Sequence, residues 1–207
     1  MDAGKDRLMA RTTGSTGVKT KEAIRRAAIK RIYQHGFEAM KLRDLADDVG
    51  IQAGSLYNYI KYKEDFLYLL LKEVLLELLE GLAKEVEGPQ TPLEALEAFI
   101  AFHLRWHTAR REEVFIGNME LRSLSPSHSA EIVGLRETYE KKLRDILEWG
   151  NKDKVWKVRD PKVTTYAIIA MLTGVCTWYR PRGRLSQEQL IEVYRELVLR
   201  GIGLLKK

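Results

Sequence analysis

The chain has 207 residues, 45% of them hydrophobic and 31% charged, which is typical of a soluble globular protein whose core needs no disulfide. The formal net charge is +6, and residues 1–65 carry 13 Lys/Arg against 9 Asp/Glu, so the N-terminal end holds most of the excess. A single cysteine, Cys176, excludes an internal disulfide, and the longest uncharged stretch, residues 163–179, is shorter than the roughly 20 apolar residues of a membrane span.

The hydrophobic pattern has a helical period along the chain, and no run alternates as a strand would, so we predict an all-α fold of about nine helices. Residues 1–18 are polar and rich in Gly, Ser and Thr, which predicts a flexible arm. Helices are expected to end where glycine or proline interrupts the pattern. The predicted helices span residues 20–35, 43–49, 53–59, 63–86, 92–109, 112–123, 128–151, 160–180 and 186–204.

Residues 36–63 have the pattern of a helix-turn-helix. A first short helix carries an apolar stripe and is broken by Gly50. In the second helix Leu56 and Ile60 lie at i and i+4, which predicts that they are buried and that the polar and aromatic residues between them face outward. The major groove of DNA admits such a helix, so we expect this segment to bind DNA.

The segment from about Thr20 to Leu71 resembles the N-terminal domain of the TetR family of transcriptional repressors. The resemblance rests on phrases in a fixed order: Gly36-Phe37, Asp44-Leu45-Ala46, Gly50-Ile51, Leu56-Tyr57-Asn58-Tyr59 and Lys63-Glu64-Asp65-Phe66. It implies a DNA-binding domain at residues 19–65, followed by a ligand-binding and dimerisation domain at residues 66–207.

The resemblance also implies which side chains contact DNA. Tyr57, Tyr59 and Lys63 match positions that contact the DNA backbone, and Asn58 can contact either backbone or bases. The positions that face bases are matched by Ala53, Gly54 and Ser55. Ordinary packing aromatics and a solvated lysine are the alternative for any one of them.

Two residues depart from the family pattern in this segment. Lys41 stands where Thr or Ser usually caps the second helix, and it can contact a phosphate only as a point charge. Gln52 stands where Ser or Thr usually begins the third helix, and glutamine can pair bidentately with adenine. We include both in the predicted DNA interface.

Two stripes of aromatic and charged residues predict a ligand pocket in the second domain. A pocket with aromatic walls and a few charged groups suits a mostly apolar ligand with an anionic end. The alternative is that these residues form an ordinary bundle core. The stripe on the fifth helix comprises Phe99, His103, Trp106 and Arg110, and the stripe on the sixth comprises Phe115, Met119 and Arg122. His103 and His107 also have a spacing that can hold a metal, but no third ligand accompanies them, so we predict no metal site.

Residues 177–186, TWYRPRGRLS, more loosely resemble the C-terminal part of TetR-type repressors that respond to acyl-coenzyme A thioesters of fatty acid, sterol and phenylacetate breakdown. Guanidinium groups suit the phosphates of coenzyme A, and a solvated basic turn is the alternative. We therefore expect a contribution to the ligand site from Trp178, Arg180, Arg182 and Arg184.

The eighth and ninth helices are predicted to form a dimer interface, because each presents a small or apolar face. These faces comprise Ala167, Ala170, Met171, Gly174, Val175 and Trp178, and then Ile191, Tyr194, Leu197, Val198 and Gly201.

An enzyme is disfavoured, since no nucleophile with a spaced base and no phosphate-binding glycine loop is present. We predict a cytoplasmic homodimeric repressor that binds a palindromic operator and is released by an acyl-coenzyme A, either phenylacetyl or fatty acyl. The alternative is a DNA-binding regulator of the same fold that responds to another hydrophobic molecule or to none.

Overall fold

A computed structural model describes residues 12–203, with side chains from residue 17 onward. Within that range the chain forms nine α-helices and no strand, which confirms the all-α prediction. The helices are α1 (Thr12–His35), α2 (Leu42–Val49), α3 (Ala53–Leu56), α4 (Lys63–Val86), α5 (Pro92–Ala109), α6 (Arg111–Met119), α7 (Pro126–Lys152), α8 (Pro161–Trp178) and α9 (Gln187–Gly201).

The bounds of α4 and α5 match the prediction, four helices differ from it by one to three residues at an end, and the differences that matter are in α1, α3 and α6. α1 begins at Thr12 rather than residue 20, so residues 12–18 of the predicted arm continue a helix, whereas residues 1–11 lie outside the described part. Lengthening an existing helix adds one bond per ordered residue without a new nucleation cost. α3 is only four residues long and continues as hydrogen-bonded turns to Ile60. The predicted sixth helix is interrupted at Glu120 and resumes as a 3₁₀ turn, Leu121–Ser123.

Capping residues explain why the helices of the second domain begin where they do. The side chain that caps each N-terminus accepts a hydrogen bond from a backbone N–H of the first turn. α5 and α9 also have a glutamate or glutamine that returns the bond, which completes a capping box. The caps are Thr91 for α5, Ser125 for α7, Asp160 for α8 and Ser186 for α9.

Two hydrophobic cores share helix α4. Leu67, Leu70 and Leu71 in its first half are buried with α1, α2 and α3, whereas Leu78 and Leu82 are buried with α5, α7 and α8. Leu56 and Ile60 are each 1% exposed in the first core, as predicted. Across residues 12–203 no helix is long and apolar enough to cross a membrane.

Helix α6 packs the DNA-binding head, which we define as residues 19–65, onto the second domain. Its Ile116 is buried in the core of the head, and its Phe115 lies edge-on to Tyr33 of α1 with ring centroids 5.1 Å apart. Glu113 of the same helix pairs with Arg25 of α1 at 2.9 Å. The head is therefore held against α6 by apolar, aromatic and ionic contacts.

Candidate nucleic-acid interface and ligand cavity

The turn between α2 and α3 sets how the second helix of the head is presented. Gly50 has φ +71°, a left-handed conformation that favours glycine, and its N–H donates to the Asp47 carbonyl. Ile51 N–H donates to the Ala46 carbonyl, so the last carbonyls of α2 are satisfied as the chain changes direction. This turn places α3 across α2 with Leu56 facing the core.

The predicted DNA-contacting residues of α3 and its flanks lie at the surface. Tyr57 is 55% exposed and Tyr59 is 42% exposed, which is unusual for aromatic side chains and contradicts the packing alternative for both. Ala53 is half-buried, and the other predicted residues of this segment are exposed: Lys41, Gln52, Gly54, Ser55 and Asn58. Neither Lys41 nor Gln52 makes a side-chain cap bond to the helix it precedes, so both side chains remain free of that role.

Lys63, the first residue of α4, is held in place by the turn after α1. Its ammonium group donates to the Glu38 carbonyl at 3.0 Å and lies 4.5 Å from the centroid of the Phe37 ring. An ammonium group has three donors, so this bond leaves two for a phosphate. Sequence reasoning missed Tyr62, which is 70% exposed between Lys61 and Lys63. The basic-aromatic-basic triplet is the sequence signal from which we predict that Tyr62 contacts the DNA backbone.

A cavity of about 140 Å³ lies in the second domain between α4, α5, α6, α7 and α8. One part of its wall is apolar and includes Leu71, Val74, Leu75, Leu78, Val114, Ile132 and Ile169. The other part is polar and includes His103, Trp106, His107, Glu113, Asn118, Arg136, Tyr139, Glu140 and Thr173. A cavity with one apolar wall and a few convergent polar groups is the usual form of a small-molecule site.

His103 and His107 form a stacked pair in this cavity, with ring centroids 3.6 Å apart. His103 Nδ1 lies 3.0 Å from the Tyr139 hydroxyl, and its Nε2 lies 3.2 Å from Thr173 Oγ1. His107 Nδ1 donates to the His103 carbonyl at 2.8 Å. Burial lowers the pKa of His107 to about 4 and that of His103 well below its ordinary value, so both rings are neutral at pH 7.

Two of the eleven predicted ligand residues, His103 and Trp106, line the cavity. Phe99 is fully buried beside it and contacts Tyr139 at a centroid distance of 5.3 Å. Arg110 lies outside the lining, 4.9 Å over the Trp106 ring, and is paired with Glu77. These contacts make Arg110 a support for the wall rather than part of it.

The remaining predicted ligand residues do not line the cavity. Helix α6 turns Val114, Gly117 and Asn118 towards it, at i, i+3 and i+4, so the adjacent stripe that begins at Phe115 faces elsewhere. These residues are exposed: Phe115, Met119 and Arg122 on or after α6, and Trp178, Arg180, Arg182 and Arg184 at the end of α8 and in the connection to α9.

Sequence reasoning missed Arg136 of α7, whose guanidinium group lines the cavity. Nη2 donates to the Gly117 carbonyl and lies 3.4 Å from Asn118 Oδ1. Among the described residues no carboxylate forms an ion pair with it; burial lowers its pKa, and the charge of Glu140 opposes that shift. In the sequence, Arg136 and Glu140 have the i,i+4 spacing of an ordinary surface ion pair, which conceals the role of the arginine.

An exposed helix-turn-helix joined to a second helical domain that contains a cavity defines the class of DNA-binding transcriptional regulators. Residues 24–68 match the family description "Bacterial regulatory proteins, tetR family", and residues 89–202 match "Tetracyclin repressor-like, C-terminal domain". The chain belongs to the TetR family of bacterial regulators, which are DNA-binding transcription factors and not enzymes.

Similar proteins extend over nearly the whole chain. The HTH-type transcriptional repressor KstR2 of Mycolicibacterium smegmatis is 30% identical over 94% of this chain and 96% of its own length. The TetR family transcriptional regulator PfmR of Thermus thermophilus is 30% identical, with a TM-score of 0.78 over 88% of this chain and 99% of its own. AibR, solved in complex with isovaleryl coenzyme A and operator DNA, has a TM-score of 0.79 and 22% identity over 90% of this chain and all of its own, which shows the shared fold alone.

We expect Lys63→Ala to weaken binding to all DNA sequences and to lower the slope of log affinity against log salt by about one unit, because a phosphate contact releases counterions without reading bases. Fluorescence anisotropy across a salt series measures both effects. Lys157→Ala, an exposed lysine outside the head, is the control. An unchanged slope for Lys63→Ala would mean that its bond to Glu38 and its contact with Phe37 are its only roles.

The buried histidine pair predicts how stability depends on pH. The ordinary pKa of 6.5 applies in the unfolded chain, whereas the pKa of His107 in the folded protein is about 4, so the unfolded state binds more protons as the pH falls. The contribution of the neutral histidines to the free energy of unfolding should therefore be complete above pH 6.5. As the pH falls below 6.5, the free energy of unfolding should decrease by up to about 1.4 kcal/mol per pH unit for each histidine. Urea titrations between pH 7.5 and 4.5 measure this slope.

The variant His107→Asn keeps a donor near the position of Nδ1 and removes one titrating group, so it should have a shallower slope than the native protein. The exposed His35 provides the matched control, since His35→Asn should leave the slope unchanged. Equal slopes for His107→Asn and the native chain would contradict the buried neutral state.

Proposed function

We propose that this protein is a homodimeric repressor that binds a palindromic operator and is released by an acyl-coenzyme A whose acyl group enters the cavity between α4 and α8. The observation that carries the proposal is the cavity itself, which borders both α4, the helix shared by the two cores, and α6, the helix against which the head packs. A ligand there contacts the two helices that support the head.

The size of the cavity supports a small acyl group. An apolar cavity of about 150 Å³ binds one benzene molecule, and the cavity here measures about 140 Å³. A phenylacetyl group or a short acyl chain matches it, with Leu71, Val74 and Leu75 around the apolar end. The thioester carbonyl would then accept a hydrogen bond from Arg136.

The phosphates of coenzyme A must lie outside such a small cavity. Arg180, Arg182 and Arg184 are exposed and basic, which suits polyphosphate recognition at the surface rather than in the pocket. The complex of AibR with isovaleryl coenzyme A and operator DNA indicates that this architecture accommodates both kinds of ligand.

A second candidate is an uncharged hydrophobic molecule that carries a hydroxyl group. It is favoured by the polar wall, where two neutral histidines, Tyr139 and Thr173 offer hydrogen bonds without charge. Such a molecule needs no phosphate-binding surface, so this candidate makes no use of the exposed arginines.

The dimer interface that we propose lies on α8 and α9. Val163, Tyr166 and Trp178 on α8 are 60%, 46% and 50% exposed, and Leu197 on α9 is 51% exposed. An apolar patch of this kind indicates a partner surface. Two predicted residues, Val175 and Val198, are instead 1% and 2% exposed and belong to the core of the protomer.

Twofold symmetry suits a palindromic operator, and it requires the two heads to be about 34 to 36 Å apart to enter successive major grooves. A ligand that favours a conformer with another spacing lowers DNA affinity by its differential affinity for the two conformers. DNA must in turn weaken ligand binding by the same factor.

Gly174→Glu is expected to yield monomers that bind operator poorly. A Cβ atom at Gly174 meets nothing within 4 Å in the protomer, so a side chain can leave the helix there without a clash of its Cβ. Sedimentation velocity gives the oligomeric state. Gly134→Glu, at an equally open exposed glycine of α7, should remain a dimer, and an intact dimer for Gly174→Glu would place the interface elsewhere.

The proposed effector is tested with an operator selected from randomised DNA and labelled with a fluorophore. We expect phenylacetyl-coenzyme A or short fatty acyl-coenzyme A to release the protein, and the matching free acids and coenzyme A alone to have no effect. Release by free acids or neutral hydroxylated compounds, with none by any thioester, would favour the second candidate and reject the acyl-coenzyme A assignment.

A further inference from the structure

Glu120 is a buried carboxylate that joins the two domains. It is 6% exposed and lies at the break after α6. Oε1 accepts a hydrogen bond from the Phe37 N–H at 3.1 Å, and Oε2 accepts one from the Ser123 hydroxyl at 3.1 Å. A buried carboxylate is costly unless it is hydrogen-bonded, so these contacts strongly favour one position of the Phe37 turn relative to α6.

The Phe37 turn in turn positions Lys63. The Phe37 ring lies under the Lys63 ammonium group, and the adjacent Glu38 carbonyl accepts its hydrogen bond. Gly36, with φ +82°, ends α1 at this turn, so the backbone there has a sharply defined path. Displacement of Glu120 would therefore change the position of a lysine expected to contact a phosphate.

On the side that faces the cavity, the end of α6 is held by Arg136. The guanidinium group bonds the Gly117 carbonyl and approaches Asn118, three and two residues before Glu120. The same group lines the cavity and has no carboxylate among the described residues within salt-bridge distance. Because a guanidinium group is rigid and planar, turning it towards a ligand oxygen moves Nη2 away from Gly117.

We propose that Arg136 is the residue that detects the ligand and Glu120 the residue that positions the DNA-binding head in response. A carbonyl or carboxylate oxygen of the ligand draws Arg136 from the end of α6, and the hydrogen bond from Phe37 to Glu120 is then lost, which releases the turn that holds Lys63. The inference rests on the proposed function for the ligand, but the contact chain from Arg136 to Lys63 acts in the free protein and is testable without one.

The test is a double-mutant cycle on operator affinity in the absence of ligand, with Arg136→Ala, Glu120→Ala and the double variant. Each single variant should bind operator about tenfold more weakly, because each opens the same chain of contacts. The double variant should also lose about tenfold rather than a hundredfold, since residues that act through one path are not additive. Glu112→Ala and Lys142→Ala, exposed residues of the same two helices, should leave affinity unchanged.

Amide hydrogen exchange at Phe37 provides a second readout, since Arg136 does not touch Phe37. Exchange there should accelerate in Arg136→Ala, and it should stay close to native in Glu120→Gln, which keeps an acceptor oxygen and serves where Glu120→Ala fails to fold. Additive losses of affinity, or native exchange at Phe37 in Arg136→Ala, would overturn the inference. The cycle involves no effector, so a failure of every thioester to release DNA would refute the proposed function and leave this result intact.

Discussion

The whole arrangement depends on one helix being buried in two cores. α4 has 24 residues, so it is about 36 Å long, and its first half packs in the head while its second half packs in the ligand-binding domain. Its middle also lines the cavity through Leu71, Val74, Leu75 and Leu78. Because α4 is one uninterrupted helix, we expect a displacement at the cavity wall to be passed along it to the head.

The charged contacts between the head and the second domain fix the relative position of their helices more than they stabilise the interface. Arg25 of α1 meets Glu113 of α6 and Glu77 of α4, and Arg110 meets the same two carboxylates. Exposed ion pairs contribute little to stability individually. The side chain of Glu113 is only 11% exposed, so the loss of its partners would leave a buried charge unpaired and would be destabilising. The three helices α1, α4 and α6 thereby have one favoured relative position.

The sequence predicted the head well because its signals are local. Gly50 must adopt a left-handed turn, and Leu56 and Ile60 must share the buried face, so their neighbours Tyr57 and Tyr59 are left outside. The cavity was predicted poorly because it is made by five helices whose relative rotation no local pattern fixes. The rotation of α6 that turns Val114 and Gly117 towards the cavity turns Phe115 and Met119 away from it. Arg136 reaches the cavity from α7, where its sequence neighbours are typical of an ordinary surface helix.

On the proposed function, the polar groups of the cavity are the part of its wall through which a ligand acts on the head. His103 is hydrogen-bonded to Tyr139 and Thr173, and His107 Nδ1 donates to the His103 carbonyl, so that part of the wall is neutral in the free protein. Arg136 differs, because its charge is partly buried and its only close acceptors among the described residues belong to the end of α6. A ligand oxygen at Arg136 competes with a carbonyl at the end of α6, so on the proposed function its interaction acts on α6 rather than on the wall as a whole. Since α6 is also the helix that holds the head, we expect the polar end of the ligand, more than its apolar bulk, to determine whether DNA is released.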